Sequence, residues 1–414
     1  MRTVVQRFSL RWHRASLIVL LLVVCLIFAV HTFWPARSAT VHGFPVYYTA
    51  GWLFANGQWG PNAYDDIWFG DRVEFLTQNG VREIYAPSPP LLTVFFALFA
   101  GLDIAAARDV WAWLNVLMLM ISLGLIIGAL ARFRGSAWRV ASIGFALLAA
   151  PTREHFHLGQ VYILLLLFFA LAFWLAQHQH QIFAGAALGV ALVTKLSGLP
   201  LLFTLLAQRQ WRLSVSVMIT AGSLGVGGLL LMGLPTWQAF AQTLIDRLTN
   251  YPIIAVTAFQ STSSLFHHLF VYDAQWSPQP IWSQPWLAPL LTWSIFFGAV
   301  IITMRRARHS VLDVAFAAGT TLSVILLPLA EEYHYVLLLL PLAVMMARVL
   351  QTPYSLRNLI WPTIIIFLIG WPLPYTDPEL TRGWLSVLAY PRLYGGWLLW
   401  LWHIRRMNVE KTSP

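Results

Sequence analysis

The chain has 414 residues, of which 58% are hydrophobic and only 10% are charged. Soluble globular domains carry about 25% charged residues, so this composition excludes an ordinary soluble protein. The formal net charge is +10, but the arginines stand in short clusters between apolar runs. That spacing is typical of the cytoplasmic loops of membrane proteins and argues against a nucleic-acid-binding surface.

Long apolar segments recur from one end of the chain to the other. A helix needs about 20 mostly apolar residues to cross the hydrocarbon core, where no water satisfies the backbone, so these segments must be helical. The sequence therefore predicts an all-α, polytopic transmembrane helical bundle with about twelve spans, in which residues 1–414 form a single integral membrane domain. The clearest apolar runs are 16–34, 110–131, 160–176, 214–234, 287–304, 311–328, 337–349, 358–373 and 384–402.

The arginine clusters predict the orientation of the bundle, because cytoplasmic loops are enriched in Lys and Arg. The first apolar run is too long for the core of a signal peptide, so we predict an uncleaved anchor, with a cut near Ala39 as the alternative. Both termini are then cytoplasmic, and 36–88 and 235–284 form two large outer loops, the first of which carries interfacial helices. The clusters are Arg2, Arg7, Arg11 and Arg14; Arg132, Arg134 and Arg139; Arg209 and Arg212; Arg305, Arg306 and Arg308; and Arg405 and Arg406.

Two segments do not fit a simple span. Residues 89–102 are too few to cross comfortably, and a crossing there would place the cluster at 132–139 outside, so we predict that they lie in the interface or re-enter. Residues 182–207 are interrupted by "TKLSGLP". Because Gly198 and Pro200 are helix breakers, we predict two half-depth helices that meet near Lys195. Such a break is tolerated where it lines protein or a wet cavity.

Polar side chains gather at the predicted outer ends of the helices, where charge is costly and usually functional. A cation holds a phosphate, a carboxylate or imidazole activates a hydroxyl, and aromatic rings pack against sugars. This combination predicts the transfer of a sugar from a lipid phosphate. The polar places are 42–65 with 85–92, the loop "TREHFHLG" at 152–159, Lys195 with 258–270, and "EEYH" at 331–334.

Six segments resemble, in order along the chain, those of the bacterial polytopic glycosyltransferases of family 87. That family belongs to the GT-C class and includes polyprenyl-phosphate-mannose-dependent mannosyltransferases. The resemblance implies a GT-C-like fold and a lipid-linked sugar donor. The segments are "FPVYYTAGWLFANGQWGPNAYD", "YAPSPPLLTVFFALFAGL", "LGQVYILLLLFFALAFWLA", "FAGAALGVALVTKLSGLPLL", "FQSTSSL" and "LPLAEEYHYVLLLLP".

The chain also departs from the family pattern. The first-loop aspartate that is the family's presumed base falls at Gly43 and is absent, and Tyr162, Leu196 and Phe259 replace an Asn, a Pro and an Asn. The resemblance therefore does not supply the base. It carries over Gly159, Gln160, Lys195, Gln260, Ser261, Glu332 and His334 as site residues.

The predicted catalytic residues are Glu154, Glu332 and His334; Glu154 replaces the missing base because it lies in a short predicted outer loop beside Arg153. The predicted substrate-binding residues are Lys195, Arg153, Gln160, Gln260, Ser261, Tyr47, Tyr64 and Asp65. Simpler interpretations stay open: Lys195 snorkels to the interface, Glu332 and His334 cap a helix, and Asp65 lies in a solvated turn. The histidine pairs lack a clear third ligand, so no metal is predicted, and no cofactor.

These residues predict an inverting glycosyltransferase of the cell membrane. It moves a sugar, with mannose as the candidate, from a polyprenyl phosphate to an acceptor at the outer face. The predicted partners are the lipid-linked donor, a glycolipid, glycan or protein acceptor and membrane lipids, but no nucleic acid. The alternative is a non-catalytic protein that binds lipid-linked sugar, or a transporter or flippase. A transporter needs access from both faces and often contains inverted repeats, whereas the polar residues here gather on one side and no repeat is evident.

Overall fold

The structure is a computed structural model that describes residues 2–249, 252–351 and 356–407. Within these residues every regular element is helical, and two isolated β-bridges form no strand, so the predicted all-α class is confirmed. Residues 250 and 251 of the second predicted outer loop, and the last seven residues of the predicted cytoplasmic C-terminus, lie outside the described residues.

The α-helices follow one another along the whole chain. They are α1 (Arg2–Phe28), α2 (Trp34–Ala36), α3 (Phe44–Ala55), α4 (Asp66–Thr77), α5 (Leu92–Phe96), α6 (Ile104–Ala129), α7 (Ala137–Leu148), α8 (Ala150–Leu158), α9 (Tyr162–Gln177), α10 (Gln181–Lys195), α11 (Leu199–Ala207), α12 (Trp211–Met232), α13 (Leu234–Thr249), α14 (Thr262–Phe270), α15 (Leu287–Ala307), α16 (Leu312–Ile325), α17 (Leu339–Val349), α18 (Leu356–Gly370) and α19 (Pro391–Arg406). A π-helical turn at Ala29–Phe33 joins α1 to α2, and 3₁₀ helices occupy Pro61–Tyr64, Ala97–Phe99, Pro252–Ala255, Glu332–Leu338, Pro378–Thr381 and Gly383–Ala389.

Several helices are suited to a membrane by length and composition. In the described part of the chain, five helical segments are long and apolar enough to cross one: Ala15–Ala36, Ile104–Ala129, Trp211–Met232, Leu287–Ala307 and Glu332–Val349. Five further apolar helices are shorter: Ala137–Leu148, Tyr162–Gln177, Gln181–Lys195, Leu312–Ile325 and Asn358–Gly370. The protein is therefore membrane-embedded, while the predicted number of about twelve spans stays a prediction.

Burial separates the centre of the bundle from its periphery. In the segment Glu332–Val349, 94% of the residues are buried inside the protein, against 17% in Trp211–Met232. Every residue of α16 except Leu312, which is half-buried, is buried as well. The helices α16 and α17 thus form the centre, and α12 exposes an apolar surface of the kind that lipid tails can cover.

A pair of glycines fixes the position of α10. Gly185 and Gly189 are four residues apart and face α12. A Cβ atom would lie 2.3 Å from the carbonyl oxygen of Leu213 at the first glycine, and 2.7 Å from Cβ of Thr220 at the second. Small residues at this spacing let two membrane helices pack backbone against backbone. The C-terminal end of α10, which carries Lys195, is therefore held firmly.

The predicted break near Lys195 is observed. Helix α10 ends at Lys195 and α11 begins at Leu199, with Leu196 at φ +52° and Gly198 at φ +108°. A positive φ is easily adopted by glycine and ends a right-handed helix. The carbonyl and N–H groups at the break are freed from helical hydrogen bonding beside the lysine.

Two predicted boundaries are wrong. Residues 152–159 are not a loop: Pro151 stands in the first turn of α8, and Gly159, at φ +63°, ends that helix. Both residues fit the preference for Pro at a helix start and Gly just after its end. The last predicted run, 384–402, begins as a 3₁₀ helix, and the α-helix starts only at Pro391.

The first predicted outer loop does carry helices, α3 and α4, although their place at a membrane interface stays a prediction. They pack with α13 around a second, small core whose residues are Val46, Ala50, Leu53, Ala63, Tyr64, Phe69, Val73, Tyr85, Ala86 and Phe240. The segment 89–102 contains only the short α5 and one 3₁₀ turn, as expected for a stretch too short to span.

Candidate active site

A cavity of about 720 Å³ lies where α10 ends and α11 begins. One wall is apolar and includes Leu199, Leu248, Phe296 and Leu326, which belong to or adjoin α11, α13, α15 and α16. The other wall is polar and joins segments that are far apart in the sequence. Its polar residues include His42, Tyr47, Glu83, Ser88, Glu154, Gln160, Tyr162, Lys195, Arg247, Glu331, Tyr333 and His334.

Lys195 brings a positive charge to this cavity. Its Nζ donates a hydrogen bond to Oγ of Ser88 at 2.9 Å and lies 5.6 Å from the ring centroid of Tyr47. Among the described residues, no carboxylate lies within 4.0 Å of the ammonium group. Since an ammonium group has three donors and one is used here, it retains the capacity to bind an anion.

Glu154 projects from α8 into the cavity. Its carboxylate makes no hydrogen bond or ion pair with any residue in the described part of the chain. Burial raises the pKa of Glu154, and the nearby charge of Glu332 raises it further. A carboxylate with a raised pKa and free lone pairs can accept a proton from a hydroxyl group.

Glu331 is the second acidic group that the cavity buries. Its carboxylate accepts a hydrogen bond from the hydroxyl of Tyr333 at 2.8 Å and another from the backbone N–H of His334. In return, the backbone N–H of Glu331 donates to Nδ1 of His334 at 3.0 Å. Burial raises the pKa of Glu331 to about 7. Glu331 is therefore both the N-cap of the central helical segment and a group that titrates near neutrality.

Glu83 completes the set of acids and pairs with Nδ1 of His42 at the edge of the cavity. Burial raises the pKa of Glu83, and the imidazole opposes the shift. Three acidic side chains, Glu83, Glu154 and Glu331, thus share the polar wall of the cavity with Lys195.

Aromatic rings form a continuous surface between these charges. The ring of His334 lies 4.1 Å from that of Tyr162 and 4.5 Å from that of Tyr333, centroid to centroid. The hydroxyl of Tyr47 donates to Oε1 of Gln160 at 2.5 Å. Flat rings with polar edges are suited to packing against a sugar.

The structure explains why no base stands at position 43. Gly43 has φ +102° and ψ −82°, a conformation that only glycine adopts readily. A Cβ atom there would lie 2.4 Å from the carbonyl oxygen of Leu158 and 3.0 Å from Nε2 of Gln160. The space for a side chain is thus already filled by α8 and by Gln160.

We expect Gly43→Ala to destabilise the protein. The backbone strain costs about 1–2 kcal/mol, and the overlap with α8 adds about 1–3 kcal/mol. The matched control is Gly57→Ala, where φ is +67° but no atom lies within 4 Å of the added Cβ. Thermal unfolding in detergent should show a clearly larger loss for Gly43→Ala, and equal losses would contradict the overlap.

Five of the predicted site residues line the cavity: Tyr47, Glu154, Gln160, Lys195 and His334. The others lie near it or support it. Arg153 is exposed on α8. Tyr64 donates to the carbonyl of Ser88 at 2.9 Å, which fixes the loop that holds Lys195, and Asp65 caps α4 through two backbone N–H groups at 2.9 Å.

Glu332, Gln260 and Ser261 make contacts around the segment that carries Glu331. Glu332 accepts from Nη2 of Arg392 at 3.0 Å and from the hydroxyl of Tyr375. Gln260 donates to the carbonyl of Ala389 at 2.6 Å and accepts from the N–H of Arg392 at 3.1 Å. Ser261 donates to the carbonyl of Pro328 at 2.5 Å. Contact between these three residues and a substrate stays a prediction.

The predicted site residues do not include Glu331, Glu83, His42 or Arg247, although Glu331 and His42 lie in segments that the sequence analysis marked as polar. For Glu331 a local signal existed, because a carboxylate three residues before His334 fits a capping box. His42 and Glu83 are 41 positions apart, and no local pattern joins them. Arg247 pairs with Asp66 across 181 positions, a contact that depends on the packing of α13 against the 3₁₀ helix Pro61–Tyr64 just before α4.

The fold and the site together define a membrane-embedded helical protein whose cavity has both apolar and polar lining residues. Sequence comparison identifies its family. The model of glycosyltransferase family 87 matches residues 88–330, more than half of the chain. The chain therefore belongs to glycosyltransferase family 87. Gly43, Tyr47 and Glu331 lie outside the matched residues.

A curated relative is an alpha-(1→3)-arabinofuranosyltransferase from Corynebacterium glutamicum, 26% identical over 231 residues. The match covers 52% of this chain and 48% of that protein, so the chain spans about half the length of the relative. A solved structure, that of ArnT from Cupriavidus metallidurans in the apo state, aligns with 95% of this chain and 77% of its own at 16% identity. Its TM-score of 0.37 is too low to establish a common fold.

Proposed function

We propose that this protein is an inverting membrane glycosyltransferase that takes a sugar from a polyprenyl phosphate. The observation that carries the proposal is a single cavity in which Lys195 and Glu154, both without an ion-pair partner in the described residues, face an apolar wall. If the ammonium group and the carboxylate formed an ion pair with each other, their role could be purely structural. Kept apart in one cavity, they suit a phosphate and a hydroxyl group.

Each part of the donor has a counterpart in the cavity. The prenyl chain would lie along Leu199, Leu248 and Phe296 and leave towards the lipid. The phosphate would bind Lys195, and the sugar would pack against the rings of Tyr162 and His334. An amphipathic donor thus matches a cavity with one apolar and one polar wall.

The reaction proposed is a single displacement. The oxygen of the acceptor hydroxyl attacks the anomeric carbon while Glu154 takes its proton. The bond between the anomeric carbon and the phosphate oxygen breaks, and polyprenyl phosphate leaves with the electron pair, stabilised by Lys195. Attack from the face opposite the leaving phosphate inverts the anomeric configuration.

The identity of the transferred sugar is proposed from the similarity of this chain to other glycosyltransferases. The resemblance favours mannose, whereas the name of the curated relative specifies an arabinofuranosyl group. A direct test incubates the purified chain in nanodiscs with polyprenyl-phosphate mannose, polyprenyl-phosphate arabinofuranose or a nucleotide sugar, together with a panel of hydroxyl acceptors. We expect acceptor-dependent release of polyprenyl phosphate from one lipid donor only. Donor binding without release would favour the non-catalytic alternative, and turnover of the nucleotide sugar alone would overturn the proposed donor.

The activity should depend on pH through Glu331. Its pKa of about 7 leaves it partly protonated at neutrality. Ionised Glu331 would place a negative charge beside the reacting carbon, where positive charge develops. We therefore expect kcat/KM to increase as the pH rises through about 7 and to be lower in more acidic solution. Glu331→Gln keeps the size of the side chain and one acceptor oxygen for the hydrogen bond from Tyr333, but it cannot ionise. We expect this variant to lose the inflection near pH 7, and an unchanged profile would show that another group titrates there.

The site is proposed to face the outside of the cell, because the arginine clusters are predicted to be cytoplasmic. Asn62 and Gln275 are exposed in the two predicted outer loops. Cysteines introduced there, in a Cys25→Ser background that removes the single native cysteine, should react with a membrane-impermeant maleimide in intact cells. A cysteine at Arg308 serves as the cytoplasmic control. Labelling of Asn62→Cys and Gln275→Cys only after permeabilisation would reverse the orientation.

A further inference from the structure

A second cavity, about 310 Å³ in volume, lies between α18 and α19. Helix α19 begins beside the catalytic cavity, where Arg392 contacts Glu332 at 3.0 Å. Arg405 follows 13 residues later, which is about 20 Å along a helix. The second cavity, lined by Arg405 and Arg406, is therefore at the opposite end of α19 from the proposed active site.

The groove lies beyond the point at which the two helices touch. At Gly395 they touch: an added Cβ would lie 2.7 Å from Cγ1 of Ile369. Further along, Pro362 interrupts α18 and cannot donate to the carbonyl of Asn358. A proline within a helix favours a bend, and large side chains then flank the gap between the helices.

The polarity of the groove changes in the same direction along both helices. On α18 the lining residues run from Ile365 through Trp361 to Asn358, and on α19 from Leu398 through Trp402 to Arg405 and Arg406. Asn358 is seven positions from Ile365, and Arg405 is seven positions from Leu398, so each series extends about 10 Å along its helix. The order on both sides is aliphatic, aromatic, then polar or charged. A membrane lipid has the same order of acyl chain, interfacial ester region and phosphate.

The charged end is arranged to receive an anion. The guanidinium of Arg406 lies over the ring of Trp402 at 5.2 Å from its centroid, and this contact orients the side chain. Planar guanidinium groups bind phosphate oxygens with two hydrogen bonds at once. Two adjacent arginines above an apolar groove thus complement a lipid phosphate in charge and in position.

We propose that this groove binds one anionic phospholipid, such as phosphatidylglycerol, from the membrane leaflet at this end of the bundle. Its phosphate lies on Arg405 and Arg406, its glycerol region lies between Trp361 and Trp402, and an acyl chain packs against Ile365 and Leu398. This site is independent of the sugar-transfer reaction proposed above and needs no substrate in the other cavity.

The chain offers a matched control for the charge. Nε1 of Trp400 in α19 donates to Oγ1 of Thr303 in α15 at 2.9 Å, so the ends of both helices lie on the same side of the bundle. Helix α15 ends with its own exposed arginine pair, Arg305 and Arg306, which does not line the groove. Removing either pair changes the net charge equally, but only one removal changes the proposed site.

The test is native mass spectrometry of the full chain, delipidated in detergent and titrated with phosphatidylglycerol. We expect the double variant Arg405→Gln/Arg406→Gln to bind the first lipid about 30-fold more weakly, and Arg305→Gln/Arg306→Gln to bind like the wild type. Phosphatidylcholine with the same acyl chains should not distinguish the three proteins. Equal losses in both double variants would mean that only surface charge attracts the lipid and would overturn the site.

A second variant tests the groove without changing its charge. Leu398→Trp fills the apolar part and should weaken phosphatidylglycerol binding even if the arginine variant proves too unstable to purify. Wild-type binding by Leu398→Trp, or full competition by glycerol phosphate without acyl chains, would show that the arginines bind a phosphate alone and would overturn the lipid site. Crosslinking of Trp361→Cys between two copies would show that another chain covers the groove and would also overturn it.

Discussion

Glu154→Gln should lower the rate of sugar transfer by about 10²–10⁴-fold, the usual contribution of a general base. The amide has the size of the carboxylate and still accepts hydrogen bonds, but it cannot take a proton from the acceptor. Because Glu154 has no hydrogen bond or ion pair in the described part of the chain, the substitution breaks no observed contact. Donor binding and thermal stability should therefore remain close to those of the wild type.

The control for this prediction is Glu379→Gln, the same change at an exposed residue of the 3₁₀ helix Pro378–Thr381. It should retain full activity. Turnover of Glu154→Gln near that of the wild type would eliminate Glu154 as the base and leave Glu331 as the next carboxylate in the cavity to test.

Lys195→Ala should weaken the use of the donor by about 10²–10³-fold in kcat/KM, the size of effect expected when one preorganised group at a developing negative charge is removed. The ammonium group contacts Ser88 and Tyr47 and no carboxylate within 4.0 Å in the described residues, so its loss leaves no acid newly unpaired. The cavity should lose its phosphate-binding charge while the fold persists.

Lys195→Arg should restore only part of the activity, since a planar guanidinium cannot replace a compact ammonium charge in a site shaped for lysine. Ser88→Ala tests whether the position of the ammonium group matters apart from its charge, because it removes the hydrogen bond to Lys195 at 2.9 Å and keeps the lysine. We expect this variant to lose less activity than Lys195→Ala. If Lys195→Ala binds the donor as tightly as the wild type does, the lysine only extends to the membrane interface.

Much of the helical architecture was predictable because its causes are local. Apolar runs, the breakers Gly198 and Pro200, and the cost of exposing backbone in lipid indicate where helices begin and end. The boundaries that failed have local causes too. Pro151 and Pro391 start helices that hydropathy alone does not delimit, since α8 is polar and the residues before Pro391 are apolar but 3₁₀-helical.

The site was only partly predictable because most of its pairs are distant in sequence. A lysine at a helix break is visible in the sequence, but its hydrogen bond to Ser88 joins residues 107 positions apart. The absence of a base at Gly43 is also visible, whereas its reason, the approach of Leu158 and Gln160, depends on tertiary packing. Gln260 and Glu332 were predicted from the family resemblance, whereas their contacts with Arg392 emerge only in the fold.

The central claim is that the cavity at the α10–α11 break holds the lipid-linked donor with its reactive carbon beside Glu154. It is tested most directly by a structure of the protein bound to a non-hydrolysable polyprenyl-phosphate sugar. The account predicts the phosphate within hydrogen-bonding distance of Nζ of Lys195, about 3 Å, the prenyl chain along Phe296 and Leu199, and the carboxylate of Glu154 nearer the anomeric carbon than any other acid. A donor whose phosphate lies away from Lys195, or whose anomeric carbon faces no carboxylate of the cavity, would contradict it.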